Sequence, residues 1–145
     1  MMRKLSSLAC LLLLTATRPA RAQRFVAVGM PDSEVLAVLQ QVQRAIASGD
    51  RAIVASDVRY PLRVNRGPDH HSVIATRGEL LQRYDAVFTP EVRRAVAATS
   101  LKDVLGSLDG VALGRGAVWL TSTCAAQRPR KCRLGISSIN QGSKN

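Results

Sequence analysis

The chain has 145 residues, of which 46% are hydrophobic and 21% charged. That is enough for one globular core and excludes both a disordered tail and a multidomain protein. Lys and Arg number 21 against 10 Asp and Glu, a net charge of +11, yet aromatics are only 3%; scattered cations without aromatics to stack bases argue against a nucleic-acid partner.

Residues 1–22 read as a secretory signal peptide. Arg3 and Lys4 precede an apolar run, Leu5 to Thr17, and Ala20-Arg21-Ala22 fits the small-x-small cleavage pattern, which makes Gln23 the first mature residue. The run is shorter than the ~20 apolar residues of a spanning helix, and no later segment would cross a membrane. The mature chain, 23–145, is therefore expected as a single domain in the periplasm or secreted. Without Arg3, Lys4, Arg18 and Arg21 the 21 cations fall to 17 against 10 acids, a net charge of +7. Its two cysteines, Cys124 and Cys132, read as one disulfide in an exported protein. The rival is a metal site, which would need two further ligands, and His70 and His71 are adjacent and remote in sequence.

Gln23 to Met30 has no clear period. Pro31-Asp32-Ser33 starts a helix with apolar residues at Val35, Leu36, Val38, Leu39, Val42, Ala45 and Ile46, the stripe of an amphipathic helix, and Gly49 stops it. Asp50 caps a second helix, expected to reach about Val58. Tyr60 to Val64 reads as a strand opened by Pro61, Asn65 to Asp69 as a turn, and Ser72 to Ala75 as the returning strand. Thr76 and Glu79 form a capping box for a helix running through Leu80, Leu81, Tyr84, Val87 and Phe88. Thr89-Pro90-Glu91 starts another, to about Thr99, and Leu101 to Leu105 adds a turn. Val111 to Leu113 and Ala117 to Thr121 flank Gly114-Arg115-Gly116 as strands, and Arg133 to Ile139 is the last. Helices, hairpin, helices and an antiparallel meander make an α+β fold with helices on one face of a bent sheet. The stripe at Val35, Leu39, Val42 and Ile46 should face the concave side of the sheet carrying, in part, Leu62, Val64, Val118 and Leu120, with only one of Val118 and Trp119 pointing to the helices.

Three segments together resemble a known group: Asp57 to Asn65, Tyr84 to Pro90, and Gly110 to Trp119 followed by Ile136 to Asn140. Over roughly residues 33–140 the chain is similar to small exported bacterial proteins of the nuclear-transport-factor-2-like (cystatin-like, SnoaL-like) superfamily. The resemblance implies a cone-shaped domain in which a curved antiparallel sheet wraps the N-terminal and middle helices, leaving a pocket at the open end. The superfamily includes isomerase-like enzymes and non-catalytic binding or dimerising modules, so the fold does not choose a function. Ala117 stands where that pattern carries an acid, and the Cys124–Cys132 loop is an addition.

The candidate pocket residues are Tyr60, Asp57, Tyr84 and Trp119. Asp57 would serve as a general base if buried beside Tyr60; at a solvated helix end it would not. Tyr60 reads first as a core tyrosine with its hydroxyl at the rim, and Trp119, mid-strand, reads first as a core residue rather than a ligand platform. Asp69, His70 and His71 read as an exposed turn, and neither a nucleophile elbow nor a phosphate loop occurs. Arg93-Arg94 reads as a solvated face. Arg128, Arg130, Lys131 and Arg133, gathered by the cysteines, are the candidate contact for an anionic partner. The expectation is an exported, non-catalytic module that binds a small ligand or a protein partner, with no cofactor and no metal, and open to homodimerisation. The alternatives are a pocket enzyme of isomerase or cyclase type, and an envelope protein meeting anionic polymer or lipid through its basic loop.

Overall fold

The computed structural model describes residues 22–126 and 131–142. The expected leader, apart from Ala22, and Arg128 and Arg130 of the basic cluster lie outside the described residues.

Helix α1, Asp32–Ser48, ends at Gly49, whose φ of 71° turns its N–H back onto the Ala45 and Ile46 carbonyls. Its stripe of Val35, Leu39, Val42, Ala45 and Ile46 is buried. The Asp50 carboxylate accepts from the Ile53 N–H at 3.2 Å and starts α2, Arg51–Ser56. This helix stops short of Val58, which pairs instead with Ile136 in the sheet. The Thr76 hydroxyl accepts from the Glu79 N–H at 3.2 Å and caps α3, Arg77–Gln82. Glu79 reaches back to the Ala75 N–H at 2.9 Å, one residue before the cap. Arg83, φ −112°, interrupts the helix expected to continue, so Tyr84–Val87 is a separate turn, α4. Helix α5, Pro90–Ala97, begins on the Thr89 cap with proline at its first position. Leu101 to Asp103 makes only a turn.

Six strands form a curved, open sheet: β1 Val58–Asn65, β2 His71–Ile74, β3 Gly106–Ser107, β4 Gly110–Leu113, β5 Val118–Cys124 and β6 Cys132–Asn140, in the order β2-β1-β6-β5-β4-β3. The architecture is α+β as expected, but the sheet is not antiparallel throughout. Strand β1 lies parallel to β6, joining an antiparallel hairpin to an antiparallel meander. The cause is burial. Leu62 and Val64 of β1 and Ile136 and Ile139 of β6 are fully buried, so both strands belong in the centre. The edges fall to β2, with its exposed His71, and to the two-residue β3. Pro61 lies inside β1 rather than opening it, and the register against β6 shifts between Val58 and Arg63. Proline has no N–H to give to the ladder there.

Directly opposed residues share a face of a sheet. The row Val64, Ile139, Val118 and Leu113 is buried and belongs to one core with the α1 stripe, Leu80, Tyr84, Phe88 and Val96. The row Val73, Arg63, Ser138, Trp119 and Ala112 lies on the other, helix-free face. Val118 therefore points to the helices and Trp119 away, as alternation requires, so Trp119 is half-buried and outside the core rather than the core residue its mid-strand position suggests.

The lead-in is more ordered than its sequence suggests. Phe25 and Val28 are buried around a single 3₁₀ turn, Val26–Val28. The Arg24 guanidinium donates to the carbonyls of Leu101 at 2.6 Å and Val104 at 2.5 Å. Cys124 and Cys132 are joined by a disulfide, with their Cα atoms 3.9 Å apart. This is closer than the ~5.5 Å common for disulfides. The Ala125 N–H bonds the Lys131 carbonyl, which makes the cysteines the neighbouring, non-hydrogen-bonded pair, where strands approach most closely.

Candidate functional site

The structure separates the four candidate pocket residues. Tyr60 is half-buried against the core and its hydroxyl donates to the Ala55 carbonyl at 2.9 Å, tying α2 to β1. Burial pushes the phenol up from its ordinary pKa, with Arg77 opposing. Asp57 closes α2, and its carboxylate accepts from the Gln41 amide at 3.0 and 2.9 Å. The two side chains thus engage different partners and do not form an acid–base pair.

Tyr84 is 1% exposed, its ring stacked on Phe88 at 4.9 Å and capped by the Arg51 guanidinium 5.0 Å from its centroid. Its buried hydroxyl has no hydrogen-bond partner. Burial again raises the phenol's pKa, against the pull of Arg93 and Arg51. A buried polar group without a partner contributes a desolvation cost and no bond. Tyr84→Phe should therefore leave stability unchanged or raise it, by up to about 1 kcal/mol. A urea melt showing a loss of more than ~1 kcal/mol would mean that the hydroxyl is held in solution.

Tyr84 apart, no polar or charged side chain among the described residues is fully buried. The helix-covered side of the sheet is filled with aliphatic and aromatic groups. Trp119 lies on the face turned from the α1 stripe and lines two open clefts. One of about 850 Å³ runs between its indole and the end of α5, past Ala95, Ala98, Asp103, Leu105, Ala112 and Arg115. One of about 350 Å³ opens on its other side against Asn65, Asp109, Thr121, Ser138 and Asn140.

Local chemistry fixes these walls. Gly114, φ 62°, packs on the α5 backbone so closely that a Cβ would stand 2.9 Å from the Ala95 carbonyl carbon, and its N–H bonds the Thr99 hydroxyl at 2.7 Å. This presses the end of α5 onto the β4–β5 turn. A side-chain relay then crosses the sheet. Arg63 Nε donates to Asn65 Oδ1 at 2.8 Å, Asn65 Nδ2 to Asn140 Oδ1 at 2.6 Å, and Asn140 Nδ2 to the Gly116 carbonyl at 2.7 Å. Arg59 passes over Gly135, where a Cβ would lie 2.7 Å from its Cγ, to reach the Thr121 hydroxyl at 2.5 Å.

Three ion pairs join Arg51, Arg83 and Arg94 to Asp85, Glu79 and Glu91 on the helical side. Arg44 and Arg77 on the helices and Arg59, Arg63 and Arg133 on the sheet are exposed, and among the described residues none of these has an acid in salt-bridge range. Lys131 is exposed beside the disulfide. Asp69, His70 and His71 are exposed, and among the described residues no three His, Cys, Asp or Glu side chains gather as a metal-ligand set. No described helix is long and apolar enough to cross a membrane.

Arg59, Arg63 and the Asn65–Asn140 pair escape a reading of the sequence. Alternation along β1 puts Arg59 and Arg63 on one face, but the neighbours they meet there come from β5 and β6, and Asn65 meets Asn140 only through a pairing 75 positions apart. No family model matches the chain, and no curated protein or solved structure does either.

Proposed function

We propose that the mature chain is an exported, non-catalytic binding module of the nuclear-transport-factor-2-like kind, whose ligand seats on the helix-free face against Trp119. The observation that carries this reading is the placement of Trp119: the chain's single tryptophan is turned out of the core onto two adjoining clefts. A half-buried indole beside fixed polar groups is a characteristic binding anchor. The helix-covered side, by contrast, is filled. An isomerase would need an acid buried beside Tyr60, whereas Asp57 is held outside by Gln41. A long helix under a curved, open sheet supports the family resemblance.

Export is supported by the disulfide and by the leader-like first 22 residues. Intact-mass measurement of the protein recovered from its native envelope should give a chain beginning at Gln23; a chain retaining Met1 would defeat this reading. For binding, the natively purified protein is denatured and the released molecules are identified by mass spectrometry. At least one compound should be retained by the natural chain and lost from Trp119→Ala. Recovery of nothing, or equal recovery from both, would sink the proposed face.

A further inference from the structure

Resting on that binding face, we propose that its ligand is an acidic polysaccharide, a chain of sugar rings carrying carboxylates. A sugar ring presents C–H groups on its faces and hydroxyls around its rim. It is best held by an aromatic plane with polar groups set at the margin. Trp119 supplies the plane, and its cross-strand neighbours are the small residues Ala112 and Ser138. Asn65, Asn140, Thr121, Ser138 and Asp109 line the margin. The relay from Arg63 through both asparagines to Gly116 holds these amides in place before any ligand arrives, which lowers the ordering cost of binding. The two clefts share Trp119 and extend to either side of it, which suits consecutive rings of a chain.

The charge selects an acidic chain over a neutral one. Arg115 lines the larger cleft, Arg63 opposes Ser138 of the smaller one across the β1–β6 ladder, and Arg59 and Arg133 border the next depression along the same face. These four outnumber Asp103 and Asp109 in the clefts, have no acid in salt-bridge range among the described residues, and match carboxylates in geometry and charge. A polyanion without rings would use the arginines and ignore the indole. A neutral glycan would use the indole and ignore the arginines. Only a chain with both features engages the whole surface.

Because the chain has one tryptophan, intrinsic fluorescence reads this surface directly. The mature, disulfide-bonded protein is titrated with alginate oligomers, dextran oligomers of matched length and inorganic polyphosphate. Alginate should shift the Trp119 emission saturably, with an affinity that falls steeply as salt is raised. Dextran should not shift it at the same concentrations, and polyphosphate should bind without moving the emission. By calorimetry Trp119→Phe and Arg63→Gln should each weaken alginate about tenfold or more, while Arg94→Gln on the helical side leaves it unchanged. Matching thermal melts keep misfolding out of the comparison. Polyphosphate shifting Trp119 as strongly as alginate, or alginate binding indifferent to both variants, overturns the proposal. A shift with dextran alone overturns the acidic ligand and leaves the binding face standing. If no glycan shifts Trp119 and no released molecule depends on it, both readings fall.

Discussion

Gly110→Ala should destabilise the domain by about 3–5 kcal/mol. Gly110 opens β4 with φ 117°, a conformation that side-chain-bearing residues rarely adopt, and a Cβ there would lie 2.1 Å from the Leu120 carbonyl oxygen. The oxygen belongs to the neighbouring strand β5, where Leu120 is the register partner of Val111. It cannot retreat without opening that pairing. The backbone contributes ~1–3 kcal/mol and the overlap a comparable amount, against a total stability of ~5–15 kcal/mol. Gly67→Ala separates the two effects. Its φ is 137°, but a Cβ there would meet nothing within 4 Å, so only the backbone cost of ~1–3 kcal/mol applies. Urea midpoints should fall clearly further for Gly110→Ala than for Gly67→Ala; equal losses would show that β4 and β5 do not approach so closely.

Cys124→Ser should lower the melting temperature by on the order of 10 °C while the fold survives. The cysteines are eight positions apart, and closing a ring of that size removes unfolded-state entropy worth about 2.5 kcal/mol in the chain-entropy model. The bridge sits at the open end of the β5–β6 ladder rather than in the core, so its loss should loosen that end and leave the sheet paired. Thiol titration of the protein taken from its native compartment should find no free cysteine in the mature chain. Two reactive thiols would remove the bridge and revive the metal reading.

Local signals predicted local structure. Gly49 stops α1, and Asp50, Thr76 and Thr89 each cap a helix, because a cap is satisfied within a few residues of itself. Alternation placed Val118 and Trp119 on opposite faces. The parallel pairing of β1 with β6 was not legible, since its selection rests on which strands are too apolar for an edge, a property of the assembled sheet. Tyr60 and Tyr84 show the same limit at the site. Both sit where a pocket residue could, but Ala55 takes the Tyr60 hydroxyl and Phe88 the Tyr84 ring, and neither partner follows from spacing alone. Phe25 and Val28 anchor a segment without period because a single 3₁₀ turn is too short to repeat.

The parallel seam also orders events in time. Asn65 and Asn140 become neighbours only across 75 positions, and bringing such distant points together costs about 4 kcal/mol of loop entropy before the first contact is made. As the chain is synthesised, the β1–β2 hairpin can form early, but the inner edge of β1 has no neighbour until the residues through Asn140 exist. Until then Leu62 and Val64 have only part of their cover. The sheet therefore cannot be completed from the N-terminus onward; its central pairing waits for β6. A polypeptide with that property stays threadable until its last strand is made, which suits the export proposed above.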